Sequence, residues 1–143
     1  MWRLAAMSAF IASAAGAPAG DAPPTTAADM RAMYKELGSP GLEGAALQKA
    51  IAEADKSPLG SERNPIRVNM PAGERYYLGR LRCPDKATPS FSRGGSVGIG
   101  PYGYILDLYA VTCPGKAPVQ VYMDMYHDQP EARPIPGFTV IAD

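Results

Sequence analysis

The chain has 143 residues, and its 14 lysines and arginines are balanced by 14 aspartates and glutamates, so its net charge is zero. A neutral chain lacks the strong attraction to phosphate groups on which dedicated nucleic-acid binders depend, and we expect no nucleic-acid partner. Its length suffices for one folded domain and leaves no room for a second independent core.

The N-terminal residues have the pattern of a cleaved export signal. Arg3 supplies the positive start, residues 4–12 form an apolar stretch too short to span a bilayer, and small residues follow at signal-peptidase spacing. Cleavage after Ala14 or Ala19 fits that spacing. We therefore predict a signal peptide over residues 1–19, a periplasmic or secreted protein, and no transmembrane segment after cleavage.

The next two segments predict a leader and a helical hairpin. Residues 20–28 are rich in Ala, Pro and Thr, which predicts a disordered leader. Residues 29–60 carry apolar side chains at helical spacing in two runs, with Ser39 and Pro40 as the predicted cap and first turn of the second helix. The apolar positions are Met30, Met33, Tyr34 and Leu37, then Leu47, Ala50, Ile51 and Ala54. Such a narrow stripe favours core packing over a partner-binding helix.

Residues 61–143 predict a β-rich module. Ile66, Val68 and Met70 alternate with polar residues, and residues 75–83 predict a second strand, with a helical turn over 74–81 as the alternative. Residues 104–113 and 119–126 flank a Pro- and Gly-containing loop and predict a β-hairpin. An extended segment over 133–138 should place Ile135 and Phe138 on the sheet. The predicted fold is a single α+β domain in which the helical hairpin packs on a small, mainly antiparallel β-sheet.

Cys83 and Cys113 are the only cysteines. In an exported protein two cysteines favour one disulfide, because the compartment is oxidising. No closely spaced cysteine pair of the redox type occurs, so we predict a structural bond.

Basic residues concentrate in the middle of the chain, where few acidic residues accompany them. They are Arg63, Arg67, Arg75, Arg80, Arg82, Lys86 and Arg93. Two interpretations stay open: the acidic flanks pair with these cations in the fold, or the cations form a face for an anionic partner.

Two glycine-containing motifs lie next to predicted elements that do not suit the usual function of either motif. Gly98, Gly100 and Gly103 have dinucleotide-site spacing, but a predicted strand follows where the site needs a helix. Ser96 lies in a near match to a nucleophile elbow that lacks the required strand and helix. We expect no cofactor, and we predict that residues 93–103 form a loop with Tyr102 at its tip.

His127 is the only histidine. If the strand continued through it, Asp124 would lie on the opposite face, and Asp128 or a distant carboxylate would have to orient the imidazole. With one histidine and no free cysteine, we expect no metal site.

Antiparallel pairing within the hairpin brings the start of one strand beside the end of the other. A polar and aromatic patch is therefore predicted at one edge of the sheet, formed by Tyr102, Asp124, Tyr126, His127 and Arg133. The alternative is that these residues only close the end of the sheet.

The order Cys83-Pro84, Gly100-Pro101-Tyr102-Gly103, Cys113, residues 121–127 (VYMDMYH) and Pro136-Gly137-Phe138 resembles a set of small exported bacterial proteins of uncharacterised function. The resemblance covers roughly the last 80 residues and implies a secreted module with a paired cysteine framework. It transfers no activity.

For function, the sequence favours a non-catalytic envelope module that binds a protein or an anionic ligand, for example an inhibitor of an envelope hydrolase. The alternative is a small hydrolase or metal-dependent enzyme that uses His127.

Overall fold

The computed structural model describes residues 23–143, so the predicted signal peptide and the first residues of the leader lie outside the described part. Within that part the predicted α+β fold is confirmed, with three helices and six strands. The helices are α1 Ala27–Glu36, α2 Gly44–Ala54 and α3 Met70–Arg80. The strands are β1 Ile66–Arg67, β2 Leu81–Arg82, β3 Ser90–Ile99, β4 Ile105–Thr112, β5 Val119–Asp124 and β6 Thr139–Val140.

Helix α1 begins inside the segment predicted to be disordered. The Thr26 hydroxyl accepts a hydrogen bond from the Asp29 backbone N–H at 3.1 Å, and the Asp29 carboxylate accepts one from the Thr26 N–H at 3.0 Å. This reciprocal pair satisfies two N–H groups that a helix start leaves free. The cap fixes the start of the helix at Ala27.

Helix α2 begins later than predicted. Ser39 and Pro40 lie in the connecting segment, and Glu43 precedes the helix without a side-chain cap. The segment is held instead by a hydrogen bond from the Leu42 N–H to the Tyr102 carbonyl at 2.8 Å. The predicted cap is therefore wrong, because a distant backbone contact determines where the chain enters the helix.

Residues 75–80 belong to helix α3, so the predicted strand over 75–83 is wrong except at its end, and the alternative of a helical turn over 74–81 agrees with the structure. Glu74, Tyr77 and Leu78 are the buried residues of this helix, at helical spacing. A buried glutamate among them interrupts the apolar pattern, and this is why composition alone favoured a strand. Pro71 suits the first turn, where no intrahelical donor is needed.

The main sheet has the strand order β1-β5-β4-β3, in which β1 runs parallel to β5 and the other pairs are antiparallel. The predicted hairpin of β4 and β5 is present, with Tyr109 opposite Val121. β5 ends at Asp124, two residues before the predicted end. Strands β2 and β6 form a separate antiparallel pair.

Strand β3 corrects the predicted loop over 93–103, because the chain stays paired with β4 as far as Ile99. The register shifts next to Gly95 and Gly98, whose φ angles of 129° and 62° suit glycine. Glycines here form bulges within an edge strand rather than a loop.

Two clusters form the core. The first lies between α3 and the sheet and includes Leu78, Val121 and Met123, with Ile135 buried and Phe138 packed against it. The second contains Tyr102, Tyr104, Tyr126 and Ala54, against which Met30 and Tyr34 of α1 and Leu47, Ala50 and Ile51 of α2 pack. Both N-terminal helices therefore attach to the sheet through a group of tyrosines.

The disulfide joins Cys83 and Cys113, whose Cα atoms are 6.0 Å apart, and the predicted pairing is confirmed. It links the chain just after β2 to the chain just after β4. Closing a loop of this length stabilises the fold by about 3.5 kcal/mol in the chain-entropy account. None of the helices in residues 23–143 has the length and apolar character needed to cross a membrane.

Candidate functional site

A groove of about 470 Å³ lies beside α2, and we call it the α2 groove. Apolar side chains of Leu42, Leu47 and Ile51 line part of it. Residues 126–131 line another part, and the remaining polar lining comes from Arg31, Glu43, Gln48 and Arg67. Apolar and charged groups therefore meet in one concave surface, as in ligand and peptide sites.

His127 lines this groove and lies directly against Asp124. His127 Nε2 is 3.2 Å from Asp124 Oδ1, although the angle does not satisfy a hydrogen bond. The prediction that the two residues lie on opposite faces is wrong. The strand stops at Asp124, whose Oδ1 accepts the Tyr126 N–H at 3.1 Å, and this turn brings His127 back beside the carboxylate.

The pair is buried and incompletely hydrogen bonded. Asp124 is 0% exposed and His127 is 5% exposed. Asp124 Oδ2 and His127 Nε2 have no hydrogen-bond partner. The imidazole is nevertheless held in place, because Tyr102 and Tyr104 pack edge-on against it and its backbone N–H donates to the Val68 carbonyl at 3.1 Å. Asp128, the carboxylate proposed from sequence to orient His127, pairs with Arg31 instead.

Tyr102 is fully buried and does not project from a loop tip. Gly103, with φ of 89°, lies so close to the backbone of Gly41 that a side chain at this position would collide with it. The Tyr102 hydroxyl accepts a hydrogen bond from Arg67 Nη1 at 3.2 Å. Burial raises the pKa of Tyr102, and the neighbouring Arg67 partly opposes that rise.

Glu131 joins two arginines at the end of the groove. It accepts hydrogen bonds from Arg67 Nη2 at 3.0 Å and from Arg133 Nη2 at 2.8 Å, and Arg133 also reaches Asp55 at 2.9 Å. Burial raises the pKa of Glu131, but the hydrogen bonds from Arg133 and the charge of Arg67 outweigh it, so the pKa lies below its usual value. Arg133 thus reaches Tyr102 only through Glu131 and Arg67.

Arg31 ties α1 to the chain after β5. Its Nη1 donates to the Tyr126 carbonyl at 2.9 Å, its Nη2 donates to Asp128 Oδ2 at 2.5 Å, and its Nε lies 3.8 Å from Glu43 Oε1. Sequence reasoning did not identify Arg31 or Glu131 as part of the site. No local signal marks either, because each acts on residues far away in the chain.

Of the residues predicted from sequence, Tyr102, Asp124, Tyr126 and His127 meet around one buried point, while Arg133 is connected to Tyr102 only through Glu131 and Arg67. The first four are nearly inaccessible, so the predicted shallow patch is instead an aromatic cluster behind a groove. Of these five residues, Tyr126 and His127 line the groove.

Three of the seven central basic residues pair with carboxylates within the fold, and for these three the first interpretation of the charge pattern holds. The pairs are Arg67 with Glu131, Arg80 with Asp143, and Arg93 with Asp107. Arg82 donates to the carbonyls of Gly79 and Leu81.

Few of the side chains that line the α2 groove are of the types that commonly take part in catalysis. In residues 23–143, its lining includes no serine, threonine, cysteine or lysine, and no group of three His, Cys, Asp or Glu side chains is arranged to hold a metal. His127 supplies the one imidazole in the lining of the described groove, and imidazole is the side chain most often used as a general base.

No protein-family model matches the chain, and neither a curated protein nor a solved structure matches it. The resemblance to small exported bacterial proteins therefore stays a prediction.

Proposed function

We propose that this protein is an exported, non-catalytic module of the cell envelope that binds a segment of another protein in the α2 groove. The observation that carries the proposal is the composition of that groove. Apolar side chains from α2 lie beside arginines that are already paired with carboxylates, and no serine, threonine, cysteine or lysine lines the described groove. This combination suits recognition by shape, apolar contact and hydrogen bonds.

Export is part of the proposal and has one structural support. The Cys83–Cys113 bond is of the kind that persists in oxidising compartments. Intact-mass measurement on protein from an envelope fraction should give a chain beginning at Ala15 or Gly20 with no free thiol. A full-length, reduced chain recovered from the cytoplasm would contradict export.

The binding proposal is tested by affinity capture with a groove variant and a matched control. Gln48 is exposed and lines the groove, so Gln48→Trp should fill it without disturbing the core. Lys49 is the next exposed residue and does not line the groove, so Lys49→Trp makes the same addition elsewhere. We expect wild-type protein and Lys49→Trp to retain the same stoichiometric partner from envelope extract, and Gln48→Trp to lose it. Equal capture by all three proteins would place binding elsewhere and reject the proposal.

A second candidate function rests on the contact between Asp124 and His127. A carboxylate beside an imidazole is the usual arrangement for a general base, which here would activate a water molecule in the groove. Turnover of generic ester or glycan substrates by wild-type protein, lost in His127→Gln, would favour this hydrolase. Absence of turnover in both proteins would remove it.

A further inference from the structure

The α2 groove carries more negative than positive charge. Arg31 and Arg67 line it, but so do three carboxylates, which belong to Glu43, Asp128 and Glu131. Arg133 and Asp55, at the end of the network, pair with each other, so the lining carboxylates still outnumber the lining arginines by three to two.

The arginines and the carboxylates of the groove also differ in their exposure to solvent. The arginine side chains are 18% and 13% exposed, whereas those of Glu43 and Asp128 are 64% and 59% exposed. Both arginines already donate to acceptors within the chain. Glu43 meets Arg31 only at 3.8 Å, beyond hydrogen-bond distance. An incoming segment therefore meets carboxylate oxygens that can still accept hydrogen bonds.

Apolar lining complements this charge. Leu47 and Ile51 line the groove and are partly exposed, whereas Tyr104 and Tyr126 are only 1% and 4% exposed. A basic side chain with apolar neighbours therefore matches both the carboxylates and the apolar side chains of the groove.

We propose, building on the function above, that the segment bound in the α2 groove carries a lysine or arginine flanked by apolar residues. The basic group pairs with the carboxylate of Glu43, which Arg31 approaches only to 3.8 Å, and an apolar neighbour packs on Leu47 and Ile51. An acidic segment is disfavoured, since the arginines that would receive it are already paired.

A random-peptide display library selected on the mature, oxidised protein tests this inference. Peptides that also bind Gln48→Trp are discarded, so the remaining clones bind through the groove. Each retained peptide is then synthesised with its basic residue replaced by glutamine or by glutamate, and its affinity is measured by fluorescence anisotropy. We expect basic peptides to dominate, with about fivefold weaker binding after replacement by glutamine and a larger loss after replacement by glutamate.

A charge-matched pair of protein variants completes the test. Glu43→Gln should weaken binding of the selected peptides, and Glu36→Gln, which makes the same change at an exposed position of α1 that does not line the groove, should not. Groove-dependent peptides that are acidic or neutral, and that bind Glu43→Gln as tightly as wild type, would overturn this inference while leaving the proposed function intact. Recovery of no groove-dependent peptide would count against both.

Discussion

His127 and Asp124 lie side by side at the end of β5, with 3.2 Å between the imidazole Nε2 and the carboxylate Oδ1, and both residues are almost fully buried. The contact depends on a turn in which Asp124 accepts the N–H of Tyr126. That turn positions Tyr126 and His127 along the α2 groove. The buried carboxylate therefore contributes to the shape of the candidate site.

We predict that Asp124→Ala lowers the free energy of unfolding by about 1–3 kcal/mol, because it leaves a buried N–H without an acceptor. Asp85→Ala is the matched control, since Asp85 accepts the N–H of Ala87 in the same local arrangement at an exposed turn. Water replaces that acceptor, and we expect a change within about 0.5 kcal/mol. Urea unfolding of both variants measures the loss of unfolding free energy in each. Equal losses in the two variants would contradict the prediction.

Glu74 gives the fold a pH dependence. It is 1% exposed, its Oε2 accepts the Tyr109 hydroxyl at 2.9 Å, and its Oε1 has no partner. Burial raises the pKa of Glu74 from 4.5 to about 7, although the Tyr109 hydrogen bond opposes the rise. The folded state thus binds the proton more tightly than the unfolded state does. The stabilisation from Glu74 is complete below pH 4.5 and is lost as the pH rises through about 7.

We predict that Glu74→Gln, which resembles the protonated side chain, removes this dependence. The stability of wild type relative to the variant should fall by about 3 kcal/mol between pH 4.5 and pH 8. Urea unfolding of both proteins across that range measures the difference between their free energies of unfolding. Groups other than Glu74 titrate in both proteins, so their contributions cancel in this difference. A constant difference across the range would contradict a raised pKa at Glu74.

Two glycines should respond oppositely to alanine. A Cβ on Gly41 would overlap the ring of Tyr104, so Gly41→Ala should destabilise the fold by about 1–3 kcal/mol. Gly79 lies within α3 with open space around it, so Gly79→Ala should stabilise the fold by about 0.5–1 kcal/mol. Thermal unfolding of both variants measures the two shifts. A stable Gly41→Ala protein would show that the chain before α2 is not held against Tyr104.

Much of the fold could be predicted from sequence where pattern and burial agree. Val121 and Met123 alternate with polar residues because one face of β5 is in the core, and the hairpin follows. Strand β3 could not be predicted, because its mostly exposed residues carry no apolar alternation and its pairing depends on β4. The sequence of α3 favours a strand over a helix, because Glu74, a buried polar residue, interrupts the apolar face of the helix.

The candidate site, like the fold, could be predicted from sequence only in part. Antiparallel register alone indicated that Tyr102 and His127 would be close, and their ring centroids are 5.2 Å apart. The contact between Asp124 and His127 could not be predicted without knowing where β5 ends. Contacts of Arg31 with Tyr126 and Arg67 with Glu131 span 95 and 64 residues, and no local pattern encodes such distances.

Site-specific photo-crosslinking in living cells tests the central claim most directly, that the α2 groove binds another protein. The photoreactive residue p-benzoylphenylalanine is introduced in place of Gln48, inside the groove, and separately in place of Lys49, which does not line the groove. We predict that irradiation gives one discrete crosslinked species with the Gln48 substitution and none with the Lys49 substitution. Crosslinking at Lys49 alone, or at neither position although both proteins reach the envelope folded and oxidised, would contradict the account.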